Sequence, residues 1–147
     1  MNPTLDETFL LVLKAHSGQK DKAGQPYVLH LIRVMMAAFQ DDKHQTVALL
    51  HDLVEDTDYT LDDLRAMDYD DEIIAAVDAL SKRKGESYQG YVHRVGQNEL
   101  ATDIKIVDLR HNLDVCRLKR DLTDKDLERI CHYHDAYLYL EAVRSKR

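Results

Sequence analysis

Four ionisable side chains interrupt an apolar stretch at residues 48–58, ALLHDLVEDTD. They are His51, Asp52, Glu55 and Asp56, and the residues around them are the leucine, valine and alanine typical of a buried segment. Burying a charge is costly unless the group is paired or coordinates a metal. The rest of the chain must therefore supply partners for these four groups.

The spacing of the four groups suits a metal site with free acids beside it. His51 and Glu55 are four residues apart, as are Asp52 and Asp56. On a helix of ~3.6 residues per turn the two pairs form neighbouring stripes, within about 100° of each other. An imidazole and a carboxylate from this segment can ligate a metal, and a carboxylate pair remains beside them for acid–base chemistry.

Two other apolar segments each carry an isolated polar residue that can complete the site. His30 lies in PYVLHLIRVMMAAF, and Asp108 lies in ELATDIKIVDLRHNLDVCRL. With His51 and Asp52 they make a mixed nitrogen and oxygen set. Such a set suits Mn²⁺, Fe²⁺ or Zn²⁺ better than Ca²⁺, which prefers oxygen ligands alone.

Each residue also has an ordinary structural interpretation. A lone histidine such as His30 is more often a hydrogen-bonded core residue, and Asp108 can be a buried partner for Arg33 or Lys105. The acidic pair can be a solvated helix end. Four polar intrusions into three apolar segments are nevertheless hard to explain independently, and together they favour one shared site.

The elements that position these residues are predicted to be helices throughout, because glycine (5) and proline (2) are scarce and no strand-like alternation stands out. Capping pairs predict four helix starts, at Thr4–Glu7, Asp42–Gln45, Thr60–Asp63 and Thr123–Asp126. The remaining helices are predicted at 26–39 with Pro26 first, at 70–84 before Gly85, at 86–97, and at 99–118 after Asn98. The fold class is all-α, an irregular multi-helix bundle.

Three of these predicted helices bear directly on the site. The helix that starts at Asp42 is expected to run to about Glu55. The helices at 26–39 and 99–118 are apolar nearly all round, which predicts central positions. On the second of these two, four polar residues recur at spacings of three and four and so share one face: Lys105, Asp108, His111 and Asn112.

Length and charge narrow the class of protein. A chain of 147 residues predicts a single domain over 1–147, and the net charge of −7 argues against nucleic acid as the main partner. The N-terminus lacks the features of a signal peptide, and the longest apolar run, VMMAAF, is too short to span a membrane. We therefore expect a cytoplasmic protein, with Cys116 and Cys131 as buried thiols.

Three motifs carry a family resemblance. LLHDLVEDT, AGQPYVLH and KIVDLRHN resemble those of the HD-domain metal-dependent phosphohydrolases. They are most similar to the RelA/SpoT-type hydrolase domain and its small stand-alone relatives, which hydrolyse the alarmone (p)ppGpp. The resemblance runs from about His16 to Asn112 in the family's order, and HSGQ and GQPY add to it.

The resemblance implies roles for particular residues. The metal ligands, usually for Mn²⁺, would be His30, His51, Asp52 and Asp108. Glu55 and Asp56 would be the catalytic acids, Asn112 would contact the nucleotide, and the reaction would remove the 3′-pyrophosphate. It also implies a small-molecule nucleotide as partner, and a homo-oligomer is possible.

Basic residues are candidates for binding the pyrophosphate. They are Lys20, Lys22, Lys105 and Arg110, of which Lys105 is favoured because it lies one helical turn before Asp108. A bound metal would polarise a phosphate oxygen, and one of the two catalytic acids would orient or deprotonate water.

The side of the site that reads the base departs from the family pattern. Asp21 stands where the family carries an arginine that packs on guanine, and Val115 replaces a polar residue. The family's His-Pro is here His30-Leu31, and the arginine after the metal-binding aspartate is displaced by one position to Arg110. We expect weaker guanine selectivity, unless Asp21 only caps a turn and a neighbouring lysine stacks on the base.

The sequence is thus interpreted as a small metal-dependent HD phosphohydrolase, with (p)ppGpp as the leading substrate. A nucleotidase or phosphomonoesterase acting on another nucleotide is the second hypothesis. A non-catalytic nucleotide-binding module is the third, and the intact Glu55-Asp56 pair argues against it.

Overall fold

The computed structural model describes residues 2–38 and 41–147, and every regular element in them is a helix. The α-helices are α1 Leu5–Ala15, α2 Val28–Ala37, α3 Asp42–Leu50, α4 Leu53–Asp56, α5 Leu61–Ala66, α6 Asp71–Leu80, α7 Tyr88–Gly96, α8 Glu99–Asn112 and α9 Asp124–Ser145. A 3-10 helix, Val115–Arg117, follows α8. The all-α fold class is confirmed.

Reciprocal hydrogen bonds at three helix starts confirm three of the four predicted capping pairs. The residues are Thr4 with Glu7, Thr60 with Asp63, and Thr123 with Asp126. The fourth prediction is wrong by one residue: α3 is capped by Asp41, whose carboxylate accepts from the His44 amide at 2.8 Å, and Asp42 is the first helical residue.

Helix α2 begins later than predicted. Pro26 forms an isolated β-bridge with Lys20, and the Tyr27 amide donates to the Gln19 carbonyl at 2.9 Å, so these residues close a loop and α2 starts at Val28. The predicted end of this helix at Phe39 lies outside the described residues. Its outer face is also more exposed than predicted, since Met36 is 65% exposed.

The predicted continuous helix from Asp42 to Glu55 is interrupted at the site. α3 ends at Leu50, Asp52 has φ −106° and ψ 2°, and α4 starts at Leu53. The interruption turns the Asp52 carboxylate towards the Tyr27 hydroxyl, which donates to it from the loop before α2. A long-range contact of this kind overrides the local preference for a continuous helix.

Helix α6 ends at Leu80 rather than before Gly85, because side chains of α7 bind its last carbonyl groups. The Tyr91 hydroxyl donates to the Leu80 carbonyl at 2.7 Å, and Arg94 donates to the Asp78 carbonyl at 3.0 Å. These bonds satisfy groups that a helix end leaves without partners.

Helix α8 is central, as predicted. It packs against α2, α3, α6, α7 and α9. Three of its own side chains, Ile104, Ile106 and Leu109, are fully buried. It ends at Asn112 rather than at 118, and the chain then turns into the 3-10 helix, whose start is capped by Asp114.

The two cysteines are exposed, which contradicts the prediction of buried thiols. Cys116 lies on the 3-10 helix after α8 has ended, and Cys131 lies on the solvent side of α9. Within residues 2–38 and 41–147, none of the helices combines the length and apolar character that a membrane crossing requires.

Candidate active site

His51 stands at the end of α3 with one ring nitrogen committed to the backbone. Its Nδ1 lies 2.6 Å from the Ala48 carbonyl oxygen, so Nδ1 carries the proton and donates. Nε2 is buried and lies 3.0 Å from an Asp52 oxygen and 3.4 Å from an Asp108 oxygen, without hydrogen-bond geometry to either. Burial opposes a charge on this ring, but Asp52 and Asp108 prevail and raise the pKa of His51 well above its usual value. Nε2 is thus held where either a proton or a divalent cation can lie between it and the two carboxylates, and this position suits a metal ligand.

His30, on α2, lies beside His51 and Asp108. Its Nε2 lies 2.8 Å from Asp108 Oδ1, and its ring centroid lies 5.5 Å from that of His51. The ligand atoms of His30, His51 and Asp52 all lie within 4.8 Å of one another. The structure therefore brings together the two histidines and two aspartates that the sequence singled out, and their donor set suits a divalent ion such as Mn²⁺, Fe²⁺ or Zn²⁺.

A second layer of side chains orients this cluster. On α8, Lys105 Nζ donates to one oxygen of Asp108 at 2.9 Å, and Asn112 Nδ2 donates to the other at 2.9 Å. Burial disfavours both charges of the Lys105–Asp108 pair, yet their attraction holds the pKa of Asp108 well below its usual range and that of Lys105 well above.

His30 has its own outer partner, His111. The two Nδ1 atoms are 2.6 Å apart, and Arg33 lies 3.2 Å from His111 Nε2. Burial and the neighbouring His30 lower the pKa of His111 to about 4, so His111 is neutral at pH 7. Of the two partners the sequence suggested for Asp108, Lys105 pairs with it, while Arg33 contacts His111 instead.

Glu55 and Asp56 border the cluster on the solvent side. Carboxylate oxygens of Asp52, Glu55 and Asp56 lie within 4.8 Å of one another. Burial and the charge of Asp52 raise the pKa of Glu55, and burial with the charges of Asp52 and Glu55 raises the pKa of Asp56 to about 6. Three acids this close favour binding of a cation or a proton.

The carboxylates of Asp52, Glu55 and Asp56 line a cavity of about 380 Å³. The lining includes every proposed catalytic and substrate-binding residue: Lys20, Lys22, Glu55, Asp56, Lys105 and Asn112. Arg110, also considered from the sequence, does not belong here, since it contacts Tyr137 and Glu141 on α9 and its side chain is 57% exposed.

Comparison with known proteins identifies relatives. The GTP pyrophosphokinase of Streptomyces coelicolor is 35% identical over 134 residues, which cover 82% of this chain and 16% of that protein. The guanosine-3′,5′-bis(diphosphate) 3′-pyrophosphohydrolase of Borreliella burgdorferi is 36% identical over 70 residues, covering 46% of this chain and 10% of that protein. No protein-family model matches the chain.

The fold agrees with these sequence relatives. A solved structure of a metazoan SpoT ortholog, described as hydrolysing ppGpp, matches with a TM-score of 0.77 at 23% identity, covering 99% of this chain and 95% of that one. The chain is a RelA/SpoT-type HD domain. It spans 16% of the length of the Streptomyces relative and a similarly small part of the Borreliella one.

The HSGQ and GQPY motifs, which precede α2 in the HD domain, make hydrogen bonds that fix the loop before α2. In HSGQ, His16 Nδ1 bonds the Gln19 side-chain oxygen at 2.9 Å, and Gln19 Nε2 donates to the Asp56 carbonyl at 3.0 Å. In GQPY, Tyr27 donates to Asp52. Both motifs therefore tie the loop before α2 to the acidic segment.

Sequence reasoning missed cavity residues that lie after the last motif. They are Asp114, Arg117, Leu118, Arg129, Ile130 and Tyr133. The motifs that carry the family resemblance end at Asn112, and nothing in the local pattern of the 3-10 helix or of α9 marks these side chains as facing a cavity. The sequence identifies Tyr27 only as part of the GQPY motif and gives no sign of its hydrogen bond to Asp52.

Proposed function

We propose that this HD domain is a metal-dependent phosphohydrolase that removes the 3′-pyrophosphate from (p)ppGpp. The observation that carries the proposal is the convergence of His30, His51, Asp52 and Asp108 beside the acids of a cavity that also has a basic wall. The names of the Borreliella relative and of the metazoan structure, at low coverage and low identity respectively, support the choice of alarmone.

The two histidines and two aspartates would hold the metal, and Mn²⁺ is proposed ahead of Fe²⁺ or Zn²⁺. When bound, the ion supplies charge that polarises a phosphate oxygen. His30 would then donate from Nδ1 to His111, because its Nε2 must be free of a proton to act as a ligand. His111 Nε2 would carry a proton in that state, so the exposed Arg33 would turn towards solvent.

Glu55 and Asp56 would orient the attacking water and accept its proton. They flank Asp52 at the cavity, and Glu55 is fixed by the Lys82 amide, which donates to its Oε1 at 3.0 Å. One carboxylate oxygen of Glu55 thus remains for water. A positioned base of this kind typically contributes about 10²- to 10⁴-fold to the rate.

The basic groups would bind the phosphates of the substrate. Lys105 uses one of its three protons on Asp108 and lies 5.3 Å from the centre of the Tyr91 ring, so it is fixed but retains donors for a phosphate oxygen. Lys20 and Lys22 come from the loop before α2, and Asn112 from the end of α8. The anionic substrate is thus held by charges from two elements.

The proposal includes the domain organisation of the enzyme and its cellular compartment. We infer a single domain over residues 1–147 that acts on a free nucleotide in the cytoplasm. Two exposed, unpaired thiols at Cys116 and Cys131 support a reducing compartment.

The test is a product assay with a nucleotide panel in Mn²⁺ buffer, read by which phosphate is released. Release of pyrophosphate from ppGpp, with 3′-phosphate monoesters intact, is the expected result. Release of inorganic phosphate from monoesters would replace the proposal with a nucleotidase. Nucleotide binding without any release would replace it with a binding module.

A further inference from the structure

A row of hydrogen-bonded side chains runs outward from Asp108 to the surface of α2. His30 Nε2 lies 2.8 Å from Asp108 Oδ1, and His30 Nδ1 lies 2.6 Å from His111 Nδ1. Arg33 Nη1 then lies 3.2 Å from His111 Nε2. His30 is buried, His111 is half-buried and Arg33 is exposed. Neither Arg33 nor His111 is among the described residues that line the cavity, so this outer end of the row is separate from the cavity.

The contact between His30 and His111 contains a single proton. The two rings are nearly parallel, with planes 22° apart, and their Nδ1 atoms meet at hydrogen-bond distance. A hydrogen bond between two ring nitrogens needs an N–H on one side and a lone pair on the other. One histidine therefore donates through Nδ1 and the other accepts, and the choice depends on what each ring contacts at Nε2.

Arg33 determines which of the two histidines donates. A guanidinium has donors and no acceptor, so His111 Nε2 must offer its lone pair to Arg33 and carry no proton. The ring proton of His111 is then on Nδ1, from which it is donated to His30 Nδ1. His30 in turn carries its proton on Nε2, directed at Asp108. All three bonds therefore point the same way, from Arg33 towards Asp108.

Metal ligation by His30 requires the opposite direction. Its Nε2 must then carry no proton, so its Nδ1 carries one and donates to His111 Nδ1. The proton of His111 moves to Nε2, where it faces Arg33, a second donor. The number of protons on the two rings is unchanged, because His30 Nε2 loses one and His111 Nε2 gains one. Two donors cannot hydrogen-bond to each other, so Arg33 must turn away when His30 is a ligand.

We propose that Arg33 weakens metal binding by stabilising the metal-free tautomers of His111 and His30, and that Arg33 and His111 are positioning residues for His30. This role depends on the proposed function only in taking His30 as a metal ligand. By linkage, a bound metal weakens the contact between Arg33 and His111 as much as this contact weakens metal binding. Occupancy of the buried site is thereby coupled to the position of an exposed arginine on α2.

The affinity for Mn²⁺, measured by competition with a chelator, tests this role without requiring turnover. Arg33→Ala removes the opposing donor and should raise the affinity about 2- to 10-fold, the typical contribution of one hydrogen bond. His111→Leu leaves His30 Nδ1–H without an acceptor and should lower the affinity about 10- to 100-fold. His111→Gln, whose amide oxygen can accept from His30 Nδ1, should restore most of this loss.

A double-mutant cycle separates this role from repulsion between the charge of Arg33 and the ion. In the His111→Leu background, Arg33→Ala should not change the affinity further, because nothing then connects Arg33 to His30. A gain of the same size in both backgrounds would overturn the assignment, and so would no gain with His111 present. Arg65→Ala, which removes an exposed arginine paired with Asp62 on α5, is the matched control and should leave the affinity unchanged.

Nitrogen-15 NMR of the histidine rings locates the protons directly. His111 should carry its proton on Nδ1 in chelator-treated protein and on Nε2 after loading with Zn²⁺, which is diamagnetic. The same tautomer of His111 in both states would overturn the assignment. The tautomer change in a protein that releases no pyrophosphate from ppGpp would refute the proposed function alone. Hydrolysis of ppGpp by a protein whose metal affinity does not depend on Arg33 would refute the role of Arg33 alone.

Discussion

At the scale of single residues, the sharpest feature is the buried Nε2 of His51 between two carboxylates. If these groups hold a metal, removing one of them must weaken binding more than the loss of an outer partner, which typically costs about 10- to 100-fold. We expect Asp52→Asn to lose most of the metal of freshly purified protein. Elemental analysis measures this, with the exposed Asp58→Asn as control; equal metal content in both variants contradicts the ligand set.

Glu55 and Asp56 are expected to serve the reaction rather than metal retention. They lie on the solvent side of Asp52 with their oxygens close to it, and neither contacts the buried imidazoles. Glu55→Gln and Asp56→Asn should therefore lower kcat by about 100-fold or more at unchanged metal content and Tm. Glu128→Gln, exposed on α9, is the control. Metal loss in the first two variants would instead place these acids in the coordination shell.

At the scale of elements, His44 links the start of α3 to α8. Its Nδ1 lies 2.9 Å from Asp41 and its Nε2 lies 2.9 Å from Asp103. Burial opposes its charge, but the bonds to Asp103 and Asp41 prevail and raise its pKa above the usual value. A raised folded-state pKa means that the stabilisation is fully present below about pH 6.5, the unfolded pKa, and is lost as pH rises through the folded pKa.

His44→Gln should accordingly lower the Tm more at pH 5.5 than at pH 8.5. Arg144 and Arg147 also face Asp103, so the partner charge is shared and the effect is modest. Thermal unfolding at the two pH values measures the difference. His132→Gln, exposed on α9, should show no comparable change; an equal loss of Tm at both pH values in His44→Gln would exclude the charged interaction.

The same scale shows where sequence reasoning succeeds. Isolated polar residues in apolar helices pointed to His30 and Asp108, because burial of such a group demands a partner. The ends of helices are harder to predict from the sequence. The break at Asp52 depends on Tyr27, and the early end of α6 depends on Arg94, so each boundary is set by a side chain distant in sequence.

At the scale of the whole molecule, the cavity is assembled from segments that no local pattern connects. Asp21 and Arg117 meet across 96 positions of sequence. Spacing along one helix identifies neighbours within that helix, but it contains no information on which loop another element will contact. The proximity of the two histidines and two aspartates could therefore be predicted from polarity, whereas the cavity residues after Asn112 could be found only from the fold.

The cluster of His30, His51, Asp52 and Asp108 joins α2, the α3–α4 break and α8, three parts of the chain that a bound ion would cross-link. Because the unfolded chain does not bring these ligands together, an ion that binds the folded state stabilises it by about 2.7 kcal/mol at a concentration 100 times the Kd. We expect added Mn²⁺ to raise the Tm of chelator-treated protein in a concentration-dependent way, and Ca²⁺ to raise it less, because half of the ligands are imidazoles. Asp52→Asn should abolish the Mn²⁺ shift and Asp58→Asn should preserve it. A shift of the same size in all three proteins would mean that the ion binds elsewhere, and the cluster would then be only a buried hydrogen-bonded network.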